Sequence, residues 1–463
     1  MKKTLTLLLT LAMVLSLCGC GSTAGEQKTE GLQIGYGRGD ITAPVGTCLG
    51  GYGNDSTRQA TTILDTLYAT CLALRDGDDT VLLFGTDALK YEEKFTQAVR
   101  DRLTAETGVP AERILISATH THSAPSMNTG GEYINIYVKG LVTAAKAALA
   151  DLAPATISTA RDAVQDLNYV RHYKKSDKSY CGDGFGNKLD GEIIGYATKG
   201  DPEMILVKFD RPDDKKDILL MNFQAHPCQT GGEKKTDMSS DFVGFARKII
   251  EEETGMNFIY FTGAAGNQNT NSYIAAENDV VNNVNKYSER LSEAALELLE
   301  DLTPVEGAGL KTVHNPFTYA TNRAELEKAA AAQKLLQMES DTTEYRQLME
   351  EAGLTSGTHI KGVSMRPGRP ETYTMELNAI YFGGVAFILA PYEMFTDSAL
   401  YIKEKSPVET TIICTLANQY WNYFASKEAY DYYSYEANTS QFARGCAEDT
   451  AAEFVKMITS IAP

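Results

Sequence analysis

Short apolar, β-branched runs alternate along this chain with longer segments in which apolar residues recur every three to four positions. Runs of the first kind fall at 63–74, 80–84, 113–117, 204–209, 218–223, 257–261, 373–381, 385–389 and 410–415, and they predict strands. Segments of the second kind fall at 92–106, 138–152, 241–254, 277–302, 323–339 and 397–405, and they predict helices. That alternation predicts an α/β layered domain whose largely buried mixed sheet is flanked by helices. The Ala-, Glu- and Gln-rich stretch 323–351 predicts surface helices inserted into it. No Pro- or Ser-rich linker divides the chain after residue 32 and no internal repeat is visible, so a single domain is expected.

The first twenty residues read as an address rather than a fold. Lys2 and Lys3 precede an apolar stretch, 4–17, that is too short to span a bilayer comfortably. It runs into Leu17-Cys18-Gly19-Cys20, which resembles the lipobox of bacterial lipoproteins. The expectation is a signal peptide over 1–19, lipidation of Cys20 and a flexible tether over 20–32. The protein would then be exported and lipid-anchored to the outer face of the bacterial cell membrane. Charge sharpens this picture: 61 acidic against 43 basic residues give −18, a field that repels nucleic acid and anionic lipid. No nucleic-acid partner is expected, and membrane contact only through the anchor. Beyond Cys20 the cysteines are scattered, with no C-x-x-C, which excludes a zinc knuckle. Cys71 and Cys414 lie in apolar runs and read as core.

Familiar catalytic motifs are missing. There is no G-x-S-x-G, no Walker loop and no H-E-x-x-H. Gly35-Tyr36-Gly37-Arg38-Gly39 has the wrong spacing for a dinucleotide loop, and no helix is expected after it. The six histidines are more telling. His120 and His122 sit in Thr119-His120-Thr121-His122-Ser123, directly after an apolar run, and His226 follows another. Ligand-bearing residues of open α/β sheets gather just beyond the carboxyl ends of strands. An H-x-H pair with a third histidine from another strand end makes a zinc-like site. Glu393 and the segment 419–436, with its six tyrosines, also follow strand-like runs. His314 and His359 have no such context and read as surface residues.

Taken in order, these segments resemble the catalytic domain of the neutral/alkaline (non-lysosomal) ceramidases. The opening Gly35-Tyr36-Gly37-Arg38-Gly39-Asp40-Ile41-Thr42-Ala43-Pro44 with Gly50-Gly51-Tyr52-Gly53 is similar to that family's start. The resemblance continues through the H-T-H-S segment, Asn168-Tyr169-Val170-Arg171, His226-Pro227 with Ser240-Asp241-Phe242-Val243-Gly244, and Pro391-Tyr392-Glu393. It ends with the paired Tyr423 and Tyr435. It runs from about residue 33 to 450 and implies a catalytic domain over 33–463 without the family's C-terminal β-sandwich. It also implies zinc held by His120, His226, Glu393 and Tyr423. His122 and Tyr435 would donate to the oxyanion and Arg171 would position an N-acyl, lipid-like substrate such as N-acyl sphingosine. The activity implied is zinc-dependent hydrolysis of an amide-type bond in sphingolipid metabolism.

One segment departs from the pattern. Where the family has G-D-x-S-P-N, this chain reads Gly266-Asn267-Gln268-Asn269-Thr270-Asn271. The acid expected to take a proton is Asn267, and the serine expected beside it is Asn269. An amide is no general base at neutral pH and no hydroxyl nucleophile. A weakened hydrolase is therefore expected, with His122 or an acid such as Asp241 left to handle protons. The alternative is a catalytically impaired lipoprotein that binds a lipid, glycan or peptide in the same cleft. An amidohydrolase-type metal barrel shares H-x-H but would want further strand-end histidines.

Overall fold

In the computed structural model, which describes residues 31–53, 57–127, 131–182, 191–272 and 280–463, three sheets each end in one parallel pair of strands. The first sheet is ordered Ile114–Ala118, Asp79–Thr86, Tyr68–Asp76, Gln33–Asp40, Ala153–Pro154. The second runs Asn257–Thr262, Ile218–Phe223, Glu203–Asp210, Thr156–Ala163, Thr303–Pro304. The third runs Leu310–Ala320, Thr372–Phe382, Val385–Leu389, Thr410–Cys414. In each, the parallel pair comprises the leading two or last two strands of that order, and the other pairings are antiparallel. Each parallel pair is bridged by a helix: Glu93–Thr107, Phe242–Thr254 and Thr396–Lys405 respectively. Parallel strands need such a crossover, and three βαβ units result.

Alternation along these strands divides the core. Leu83 and Leu115 from the first sheet, Leu220 and Ile259 from the second, and Phe387 and Ile412 from the third share one central cluster. Their neighbours face outward onto helices. Phe84 and Ile116 meet Leu103, Tyr137 and Leu141. Leu219 and Met221 meet Val243, Ile250 and Tyr287. Ile388 and Ile413 meet Ile402, Phe454 and Ile458. Strands covered on both faces read as continuous apolar runs, which is why 218–223 and 385–389 were legible to the residue. Fully burying one such side chain contributes about 1.5–3 kcal/mol.

Several elements differ from expectation. The run 63–74 divides into Thr62–Ile63, paired with Asp237–Met238, and Tyr68–Asp76. Gly35, Gly37 and Gly39 belong to the strand Gln33–Asp40 and face the helix Gly131–Ala150. A Cβ on any of them would lie 2.0 Å from a carbonyl oxygen of Ala148, Ala144 or Gly140. The glycines permit close sheet–helix contact rather than a phosphate loop. The inserted helices, Ala329–Leu335, Thr343–Glu351 and Gly357–Met365, fill the connection between the paired strands Leu310–Ala320 and Thr372–Phe382. Their own small core includes Ala332, Leu335, Ile360 and Val363.

Cys71 and Cys414 are buried as expected. The expected signal peptide, Cys20 and the tether up to residue 30 lie outside the described residues. Among the described residues no helix is long and apolar enough to cross a membrane.

Candidate metal centre

The carboxyl ends of the three parallel pairs converge. His120 and His122 leave the strand Ile114–Ala118, His226 leaves Ile218–Phe223, and Glu393 lies beyond Val385–Leu389. Glu393 begins the strand Glu393–Met394, which pairs in parallel with Tyr423–Phe424 so that Glu393 and Tyr423 are direct partners. His120 takes a left-handed backbone conformation, φ 73°, which non-glycine residues adopt rarely and mostly where structure demands it. Opposite it, Gly51 has φ 119°, and a Cβ there would approach His122 to 2.9 Å. Only glycine lets that loop close over the imidazole.

Hydrogen bonds fix the imidazole tautomers. His120 Nδ1 lies 2.7 Å from the Leu89 carbonyl oxygen, and His226 Nδ1 2.6 Å from that of Ala265. A carbonyl only accepts, so each Nδ1 carries the hydrogen and each Nε2 presents a lone pair. Those Nε2 atoms lie 3.3 and 3.1 Å from the same carboxylate oxygen, Glu393 Oε2. His122 Nε2 is 3.3 Å from His120 Nε2, and ligand atoms of the three histidines all lie within 4.8 Å of one another. His226 Nε2, Glu393 Oε2 and His122 Nδ1 are buried with no hydrogen-bond partner among the described residues. Lone pairs facing one another in a dry pocket repel unless a cation sits among them, so this donor set fits a metal ion. Tyr420 Oη donates to the other Glu393 oxygen at 2.6 Å and orients it.

Burial, then the neighbouring His120, pushes His122 well below its ordinary range, and burial likewise lowers His226. Burial would raise the Glu393 carboxyl, and positive charge on the His120 and His226 side holds it well below the usual carboxylate range. Burial pushes the Tyr435 phenol up to about 12. Its ring lies 5.6 Å from that of Tyr423, over which the Arg171 guanidinium also sits at 5.5 Å.

Arg171 is fully buried and donates from Nε to Glu436 Oε1 at 2.8 Å and from Nη2 to the Gly266 carbonyl at 2.8 Å. His172 Nε2 meets the other Glu436 oxygen at 2.9 Å. From sequence Glu436 stood only as the residue following Tyr435 in the resembled segment and His172 carried no role, since their partners lie far away in the chain. Two cavities flank the imidazoles. One of about 520 Å³ is lined by His120, His122, Glu393, Tyr423 and Tyr435. The other, of about 690 Å³, is lined by His122, Arg171, His226 and Asn269.

The two asparagines part company. Asn269 lines the second cavity and bridges to the backbone of His226. Asn267 is fully buried, with Oδ1 accepting from Thr396 N at 3.0 Å and Nδ2 donating to Thr396 Oγ1 at 3.2 Å. Asp241 caps the helix Phe242–Thr254 through Phe242 N, and its other oxygen accepts from Thr230 N and Oγ1, both at 2.7 Å. Its carboxylate, fully buried, holds the loop after His226. His314 is half-exposed as expected, but His359 is not a surface residue. It is fully buried, with Nε2 2.9 Å from Glu325 Oε2 and its ring against Tyr433.

Strand-end imidazoles and a carboxylate meeting at one buried point define an α/β protein with a candidate metal centre. Residues 32–285 match the model of the neutral/alkaline non-lysosomal ceramidases, N-terminal, and the chain belongs to that family. The fold agrees with the neutral ceramidase from Pseudomonas aeruginosa, at TM-score 0.71 and 18% identity, covering 94% of this chain and 75% of that one. A ceramidase complexed with C2 matches at TM-score 0.70 and 18% identity, with the same coverage. Glu393, Tyr423 and Tyr435 lie beyond the family match, and the fold brings them to the histidines within it.

Proposed function

We propose that this protein is a zinc-dependent hydrolase of an amide-type bond in an N-acyl, lipid-like substrate, held by lipid on Cys20 at the outer face of a bacterial membrane. The observation that carries the reading is the meeting of two lone-pair Nε2 atoms with Glu393 Oε2 at 3.3 and 3.1 Å. His120, His226, Glu393 and Tyr423 would hold the zinc, which when bound supplies Lewis-acid polarisation of the scissile carbonyl. Tyr435 keeps its proton at neutral pH and donates to the carbonyl oxygen as charge develops there. His122 faces the same point from both cavities and donates beside it. Arg171, its charge answered by Glu436, braces the Gly266–Asn267 backbone and the wall of the second cavity.

Asn269 favours a second reading, a binding protein using the same cleft, because an amide stands where the resembled family carries a serine hydroxyl. Positioned proton transfer contributes about a hundred- to ten-thousand-fold in rate, so its loss leaves slow turnover rather than none. Purified mature protein reconstituted with zinc and given a panel of N-acyl compounds is expected to release free amine slowly. Protein that retains zinc and hydrolyses none of them would establish the binding role.

A further inference from the structure

The imidazoles of His120 and His226 are each held by a carbonyl at Nδ1, but that of His122 is not. Among the described residues its Nδ1 has no hydrogen-bond partner, and its Nε2 faces His120 Nε2 at 3.3 Å. Packing holds the ring instead. Gly51 lies so close that an added Cβ would come within 2.9 Å of the imidazole. The Tyr52 ring stands edge-on to it, with centroids 5.1 Å apart and planes at 72°. The loop that carries Gly51 and Tyr52 therefore sets the place of this imidazole.

One buried side chain fastens that loop. Arg58, 3% exposed, donates from Nη2 to the carbonyl oxygens of Gly50 and, at 2.7 Å, of His122 itself. Its Nη1 donates to the Gly232 carbonyl at 3.0 Å, and its guanidinium lies over the Tyr52 ring, 4.8 Å from the centroid. A guanidinium presents its N–H groups in a rigid planar fork, so it holds three carbonyls in one fixed relation, as a point-like ammonium does not. Those carbonyls belong to segments that wall the centre. Gly51 and Gly53 line the first cavity, Tyr52 and Glu233 the second, and His122 both. The His122 backbone is separately tied, its N–H donating to the Pro227 carbonyl at 3.1 Å. What Arg58 adds is the seating of the loop against the ring.

On the hydrolase reading of this site, we infer that Arg58 is a positioning residue: by joining Gly50, His122 and Gly232 it places the His122 imidazole beside the oxygen that gains charge. Arg58 lines neither cavity and acts through His122. Displacing a group at the reacting centre by about 1 Å costs about a hundredfold in rate, so a loosened ring matters.

The test follows the imidazole signals of the six histidines by NMR in zinc-loaded, histidine-labelled protein. Arg58→Gln should shift those of His122 and leave those of His314 and His359 in place, with zinc content unchanged. In amine release from the N-acyl panel, kcat should fall about ten- to a hundredfold while KM changes less than about threefold. In a His122→Ala background the same substitution should cost nothing further, because the two residues act as one unit. Arg58→Lys keeps the charge without the fork and should lie between; should Arg58→Gln not fold, Arg58→Lys is read in its place. Unmoved His122 signals, an unchanged kcat in active protein, or losses that add in the double variant would overturn the inference. Moved His122 signals in a protein that hydrolyses no N-acyl compound would keep Arg58 as the residue that places His122 and remove the hydrolase reading. Hydrolysis with unmoved signals would do the reverse.

Discussion

Glu393 and Tyr423 are direct partners in a two-residue parallel ladder, so one short strand pairing sets a phenol that lines the first cavity beside the carboxylate that meets both imidazoles. Glu393→Gln keeps the shape and removes the charge. It is expected to weaken zinc binding more than Tyr420→Phe, which removes only the hydrogen bond that orients Glu393 and should cost about 10–100-fold. Competition against a chromophoric chelator measures both. Equal zinc affinity in wild type and Glu393→Gln would remove Glu393 from the ligand set.

The Arg171–Glu436 pair is fully enclosed, with side-chain exposures of 2% and 0%. Glu436→Gln leaves a guanidinium buried without its counter-charge, a change that costs about 3–5 kcal/mol. Chemical denaturation should show that loss with little change in the denaturant slope. A loss below about 1 kcal/mol would mean that the guanidinium is not held by this pair.

Much of this arrangement was legible because following each apolar run to its carboxyl end leads to a polar residue that matters: His120, His226, Glu393. What stayed hidden depends on distant partners. Tyr420, His172 and Glu436 gain their roles only through residues brought close by the fold. The strand Gln33–Asp40 was missed because its glycines interrupt the apolar, β-branched run that marks a strand, whereas they make room for a helix backbone more than a hundred residues away. The strand Leu310–Ala320 was missed because it lies at a sheet edge, half-exposed, and contains Pro316, which edges tolerate and central strands do not. His359 read as exposed because it follows no strand-like run; its burial comes from Glu325, Arg366 and Tyr433 packing around it.

The asparagines yield to different substitutions. At position 267, Asp could still accept from Thr396 N, but it loses the donor to Thr396 Oγ1, whose own hydrogen goes to the Lys199 carbonyl. Asn267→Asp is therefore expected to cost about 1–3 kcal/mol, read from the thermal midpoint and an enthalpy of unfolding. Asn269→Ser, at a half-buried cavity wall, should leave stability nearly unchanged and raise amine release from N-acyl substrates. Faster turnover by wild type than by Asn269→Ser would show that the amide itself serves the reaction.

The insertion carries an acid-sensitive lock. Burial would raise Glu325, but Lys328, His359 and Arg366 outweigh it and hold its carboxyl down at about 2. A carboxyl depressed in the folded state adds stability that is fully present above its unfolded value, about 4.3, and is lost as pH falls toward about 2. Hydrogen exchange across 326–365 should therefore accelerate between about pH 4 and pH 2 before the three sheets respond. Glu325→Gln should exchange faster at neutral pH and lose that dependence. Acid sensitivity unchanged in Glu325→Gln would assign it to another group.

The most direct test of the central claim is the zinc content of purified protein after reconstitution and dialysis, measured by mass spectrometry. Wild type and His314→Ala should each retain about one zinc per chain, His314 being half-exposed and remote from the histidine cluster. His120→Ala and His226→Ala should lose it while keeping their secondary structure, and a chelator should lower the thermal midpoint of wild type alone among the folded ligand variants. Wild-type protein that holds no metal after reconstitution, or His120→Ala and His226→Ala variants that keep it, would contradict the account.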